Sequence, residues 1–148
     1  MRHDGVKREA AEVVRDCIAT RLRMANRVIT KVYDDALRPC GLKVSQMAML
    51  AVAQDRGLIR QTEVGAELQL DDSTLSRNLG RMRDNGWLEE VSADDGRVHS
   101  YRLTEAGRAL LDRAIPAWRG AQAEARRLLG DAGVQALRRF AQEQGIGG

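Results

Sequence analysis

Between Asp71 and Leu103 the chain changes its hydrophobic period from helical to alternating, and that switch constrains the fold more than any other feature. Asp71 stands where a helix N-cap is favoured, and Leu75, Leu79 and Met82 follow at the three- and four-residue spacing of one helix face. Asn85-Gly86 closes that helix, glycine being suited to the left-handed position just past a helix end. Two extended runs come next, residues 87–92 and 98–103, around the turn-rich Ala93-Asp94-Asp95-Gly96-Arg97. Together they predict a β-hairpin.

Upstream, the spacing predicts three more helices. Val14, Ile18, Leu22, Ala25, Ile29, Val32 and Ala36 stripe a long helix over 6–37, which Pro39 and Gly41 stop. A second helix over 44–54 should bury Met47, Leu50 and Ala51, although Lys43 is a poor cap. Gly57 opens a turn with Leu58 and Ile59 as a brief strand, and a third helix over 61–68 buries Val64 and Leu68. Downstream, Thr104 caps a long helix that Pro116 should kink, Gly130-Asp131 breaks it, and Val134, Leu137 and Phe140 stripe a final segment. The expected fold is mainly α with a small β-hairpin wing: a winged helix-turn-helix over 44–103, flanked by association helices over 6–38 and 104–143.

Apolar residues are 43% of the 148 but aromatics only 3%, so the core must come from Leu, Val, Ile, Met and Ala, which favours helices. The net charge of +3 is a mild basic bias; of the 24 basic residues only Lys7, Lys31 and Lys43 are lysines. Arginine suits bidentate contact with phosphate and guanine, though an arginine-rich genome would leave the same trace. No run approaches the roughly 20 apolar residues of a membrane span, and residues 1–11 are too charged for a secretory signal. A cytoplasmic, metal-free protein is expected, since His3 and His99 lie far apart and Cys17 and Cys40 form neither a disulfide framework nor a zinc pattern. An intrachain Cys17–Cys40 bridge is disfavoured by span, since a helix of that length covers about 35 Å against less than about 7 Å between bridged Cα atoms, and a bridge to a partner subunit is left open.

With Leu75, Leu79 and Met82 turned inward, helical geometry puts Ser73, Arg77 and Arg81 on the opposite face, with Thr74 and Ser76 beside them and Asn78 nearer the buried side. Two arginines, hydroxyls and an amide are what reading bases and phosphates in the major groove requires. At the hairpin tip Arg97 projects beyond Asp94-Asp95-Gly96, where a wing arginine can enter the minor groove.

The sequence here resembles the MarR family of transcription regulators over nearly its whole length. The resemblance is carried by Leu42 to Gln46, by Ser73-Thr74-Leu75-Ser76-Arg77 and by Gly86-Trp87-Leu88. It extends through Asp95-Gly96-Arg97, Leu103-Thr104-Glu105-Ala106-Gly107 and Ile115-Pro116-Ala117-Trp118. It implies a homodimer held by the terminal helices, an inverted-repeat operator in double-stranded DNA, and repression relieved by a signal. It also implies that Asp95 braces the wing while Arg97 reaches DNA. Lys43 replaces the family's small hydroxyl cap, and Gly65 stands where alanine is typical.

The signal is left open. Some members sense oxidants through a cysteine in the first helix, where Cys17 lies, but free cysteines are commonly small buried hydrophobes. Others bind small aromatic acids in a crevice that Arg21, Met24, Met47 and Trp118 would line here. An enzyme is disfavoured, because neither cysteine has a histidine base in a recognisable motif. A winged helix that binds protein instead of DNA is the remaining rival, though it has no need of Arg77, Arg81 and Arg97 together.

Overall fold

The computed structural model describes residues 2–92 and 99–146. Its elements run α1 (Arg2–Asp16), α2 (Ile18–Leu37), a 3-10 turn (Arg38–Cys40), α3 (Val44–Arg56), β1 (Ile59–Arg60), α4 (Gln61–Leu68), α5 (Asp72–Asp84), β2 (Leu88–Ser92), β3 (His99–Leu103) and α6 (Glu105–Glu143). Among the described residues no helix is long and apolar enough to cross a membrane.

The helical lobe and hairpin form as their periodicity predicts. Leu75, Leu79 and Met82 of α5 are buried together with Met49, Leu50 and Ala53 of α3, Val64 of α4, and Leu110, Leu111 and Ala114 of α6. Ile59, Leu88, Tyr101 and Leu103 close this core from the sheet. Each such side chain contributes on the order of 1.5–3 kcal/mol by leaving water. In α3 the buried set differs from expectation: Ala51 faces solvent, while Met49 and Ala53 are inside.

Three departures have physical causes or consequences. The long first helix is two helices, because Cys17 adopts an extended backbone (φ −63°, ψ 109°) and serves as the N-cap of α2. No glycine or proline marks that break. The hairpin is also part of a three-stranded antiparallel sheet of order β1-β3-β2, with Ile59 opposite Tyr101 and Leu88 opposite Leu103. Pro116 leaves α6 helical; it lies on the exposed face, where the carbonyl one turn back can be solvated. The break expected at Gly130 is present, with φ 68° and ψ 165°, a conformation essentially reserved for glycine.

The poor cap at Lys43 is compensated from outside the helix. Asp34 of α2 accepts a hydrogen bond from the Val44 amide at 2.8 Å, and Gln46 Oε1 accepts one from the Lys43 amide at 3.0 Å. The start of α3 is thereby tied to α2, which packs in turn on α6 through a Tyr33–Gln122 hydrogen bond and the buried Ala121 and Ala125.

Candidate nucleic-acid interface

Helix α5 is fixed at both ends. At its start the Asp71 carboxylate accepts from the Thr74 amide at 2.8 Å and from the Ser73 and Thr74 hydroxyls at 2.6 and 2.7 Å. These bonds, Ser73 first and then Thr74, hold the carboxyl well below the usual aspartate range. At its end the Trp87 amide donates to the Met82 carbonyl and the Gly86 amide, at φ 73°, to the Arg83 carbonyl, which is a Schellman closure.

The depressed folded-state pKa fixes the sign of one prediction. The stabilisation from Asp71 is fully present above the unfolded carboxylate pKa and is lost as pH falls toward the folded value. Asp71→Asn should therefore lower the melting temperature at neutral pH, with the gap to wild type closing between about pH 5 and about pH 2. A gap that stayed constant across that range would refute an ionised cap.

The face opposite the core presents Ser73, Ser76, Arg77 and Arg81, all exposed, with Thr74 half-buried beside them. Arg77 Nε donates to the Ser73 carbonyl at 3.2 Å, a bond that does not use its terminal nitrogens. Because Ser73 and Thr74 give their protons to Asp71, they can meet a nucleic acid only as acceptors while the cap holds. Ser76 accepts from Gln61 Nε2 at 3.2 Å and keeps its own proton to donate.

Asn78 stands at the buried edge of this face and borders one cavity with Thr74, Arg77 and Arg81. It is 8% exposed, and its amide donates to Ser45 Oγ at 3.1 Å, locking α5 onto the first turn of α3. The structure also brings Lys43 and Ser45 to this cavity, beside Thr74, Arg77, Asn78 and Arg81. The sequence signal for them is their place at the start of α3. Arg97 and Asp95 lie outside the described residues, so the expected wing tip is not part of this geometry. The strands that carry it are present, and Thr104 anchors them: its hydroxyl donates to Gly86 O at 2.6 Å and accepts from the Gly107 amide at 3.0 Å.

Of the four expected pocket residues, Met47 and Trp118 share an apolar cavity of about 670 Å³ with Val52, Leu68, Leu111 and Ile115. Arg21 and Met24 are not brought to it; both lie exposed on α2, Arg21 beside Asp16 at 3.7 Å. Cys17 is half-buried, and hydrogen bonding to the Thr20 side chain and amide, with a smaller effect from Arg23, holds its thiol below the ordinary range. Arg15 and Arg21, the neighbours expected to do this, are not among the causes. Cys17 and Cys40 are both free and stand at opposite ends of α2.

Residues 41–98 match a model of the MarR family. The chain is 29% identical over 84 residues to the uncharacterised HTH-type transcriptional regulator YwoH of Bacillus subtilis, covering 57% of this chain but only 61% of that relative. It is similar to the transcriptional regulator MOSR of M. tuberculosis, solved in complex with DNA, at 34% identity and TM-score 0.75, covering 87% of this chain and 96% of that one. A MarR-family transcriptional regulator from Rhodococcus sp. RHA1 superposes with TM-score 0.73 at 25% identity, covering 86% and 91%.

Proposed function

The chain belongs to the MarR family, and on that premise we propose that it is a sequence-specific DNA-binding regulator, a homodimeric repressor of an inverted-repeat operator released by a small-molecule ligand. The observation that carries this reading is the exposed face of α5, where Arg77 and Arg81 stand clear of the core one helical turn apart. The Lys43 ammonium and the Ser45 hydroxyl at the start of α3 border a cavity with Arg77 and Arg81, and the MOSR complex with DNA supports the reading by similarity. Residues 44–103 form the DNA-binding lobe, and 6–38 with 104–143 the dimerisation helices. Met47 and Trp118 are the proposed ligand contacts.

The test is a binding titration on a duplex selected by the wild-type protein, repeated over a salt series. Arg77→Ala and Arg81→Ala should each weaken specific binding by about 1–3 kcal/mol and relax preference at one position per half-site. Arg97→Ala should instead flatten the slope of log K against log salt by about one unit per wing while the fold survives. If none of the three changed affinity, preference or slope, the lobe would be a protein-binding adaptor and not a DNA reader.

A second reading has one observation of its own, the lowered thiol pKa of Cys17. A lowered thiol pKa favours oxidation, so peroxide should release DNA from wild type and not from Cys17→Ser if the signal is oxidative. Release that is unchanged in Cys17→Ser would leave the small-molecule reading alone.

A further inference from the structure

We propose that a polar cavity between α2, the start of α3 and the end of α5 binds a small dicarboxylate, and that this ligand competes with DNA for Arg81. The cavity measures about 990 Å³ and shares no lining residue with the apolar one that holds Met47 and Trp118. Gln46 lines it and is only 5% exposed. Its own helix fixes how that side chain is turned. Oε1 accepts the Lys43 amide at 3.0 Å, a bond that only the oxygen end of the carboxamide can accept. The nitrogen is the end left for the cavity, and among the described residues it donates to no other group. A buried donor without an acceptor is costly, so an acceptor entering the cavity relieves it.

The charges around Gln46 call for an anionic acceptor. Arg27 of α2, Lys43 before α3 and Arg81 of α5 line the cavity and form no ion pair among the described residues. The carboxylates of the same wall are engaged: Asp34 accepts the Val44 amide at 2.8 Å, and Asp35 holds Lys31 and Arg38. The three unpaired cations come from three elements, so two carboxylates on a short chain suit them better than one.

Arg81 also borders the smaller cavity on the outer face of α5, with Thr74, Arg77 and Asn78. A guanidinium forked onto a ligand carboxylate is withdrawn from a base or a phosphate. The consequence rests on the DNA-binding reading: ligand and DNA each weaken the other's hold on Arg81, and the coupling is reciprocal.

Calorimetric titration of succinate into the full chain, without DNA, tests the site. Succinate should bind, and acetate about tenfold more weakly. Gln46→Glu keeps an oxygen for the Lys43 amide and replaces the donor with a second acceptor. It should weaken succinate binding by about tenfold while the melting temperature is kept. Arg27→Ala should weaken it by about fivefold. No heat of binding, equal affinity for acetate, or full affinity in both variants would overturn the site.

Titration of a duplex selected by the wild-type protein tests the coupling. Succinate should weaken DNA binding by about fivefold more than sodium chloride of equal ionic strength. Arg27→Ala should bind DNA as wild type does and lose that response. Weaker DNA binding by Arg27→Ala without succinate would show the cavity seating a backbone phosphate. Release by benzoate and not by succinate would place control in the apolar cavity; either result overturns the proposal. Should no duplex be selected at all, the DNA-binding reading fails, whereas the calorimetry still decides the site.

Discussion

Replacing Gly107 by alanine is expected to destabilise the fold by about 3 kcal/mol, a large effect for one methyl group. A Cβ at this position would fall well inside contact distance of the Trp87 carbonyl oxygen and within 2.8 Å of Leu103 Cδ1. Neither neighbour can yield cheaply. The Trp87 carbonyl is backbone and accepts the Thr104 amide at 3.0 Å, while Leu103 is buried in the core. Relief would have to come from moving the first turn of α6 away from the root of the hairpin, which breaks the Thr104 corner. For a domain of this size that loss lowers the melting temperature by roughly 6–12 °C. Gly120 is the control: it is in the same helix with nothing near its missing Cβ, so Gly120→Ala should raise stability by about 0.5–1 kcal/mol. Equal melting temperatures for the two variants would refute the close-approach argument.

Gly107 also marks a limit of reading by pattern. Leu103-Thr104-Glu105-Ala106-Gly107 was legible as a resemblance, and Thr104 as a cap, but the reason for the glycine is a carbonyl twenty residues earlier. Local signals carried far. The Asp71 cap, the Gly86 closure, the bounds of α4 and both hairpin strands follow from rules that span four to six residues, and the fold obeys them. The signals that failed are of another kind. The pairing of β1 with β3 joins residues some forty apart, and Asp34 caps a helix ten residues downstream. The break at Cys17 has no breaker residue to announce it.

The candidate site shows the same division. Helical geometry alone puts Ser73, Arg77 and Arg81 on one exposed face, and the structure agrees. Asn78 stands at the edge of that face, and only the Ser45 hydroxyl opposite it decides that it turns inward. Arg21 and Met24 were grouped with Met47 and Trp118 by family likeness, whereas exposure on α2 sets them apart from the cavity the other two share.

The terminal helices lead to the prediction with the largest effect on DNA binding. Val14 is 81% exposed, Ile18 74%, Leu22 55% and Phe140 56%, values that a lone chain in water should not sustain on so many large apolar side chains. The apolar stripe of the expected association helix faces outward along α1 and the start of α2, and a second copy of the chain is its proposed cover. Ile18→Glu combined with Leu22→Glu would bury two charges in each half of such an interface, and burying an unpaired charge is costly. Light scattering should then fall from twice the 16.4 kDa of one chain to that mass. Neither residue belongs to the buried core around α3, α5 and the sheet, so the lobe should still melt cooperatively. Its affinity for an inverted repeat should nevertheless drop by about 10²–10⁴, because each lobe would have to bind without the effective concentration that linkage provides. The salt slope should fall to about half, since half the phosphates are contacted. A double variant that stays dimeric, or a monomer that binds as tightly as wild type, would remove the two-fold symmetry on which the operator reading depends.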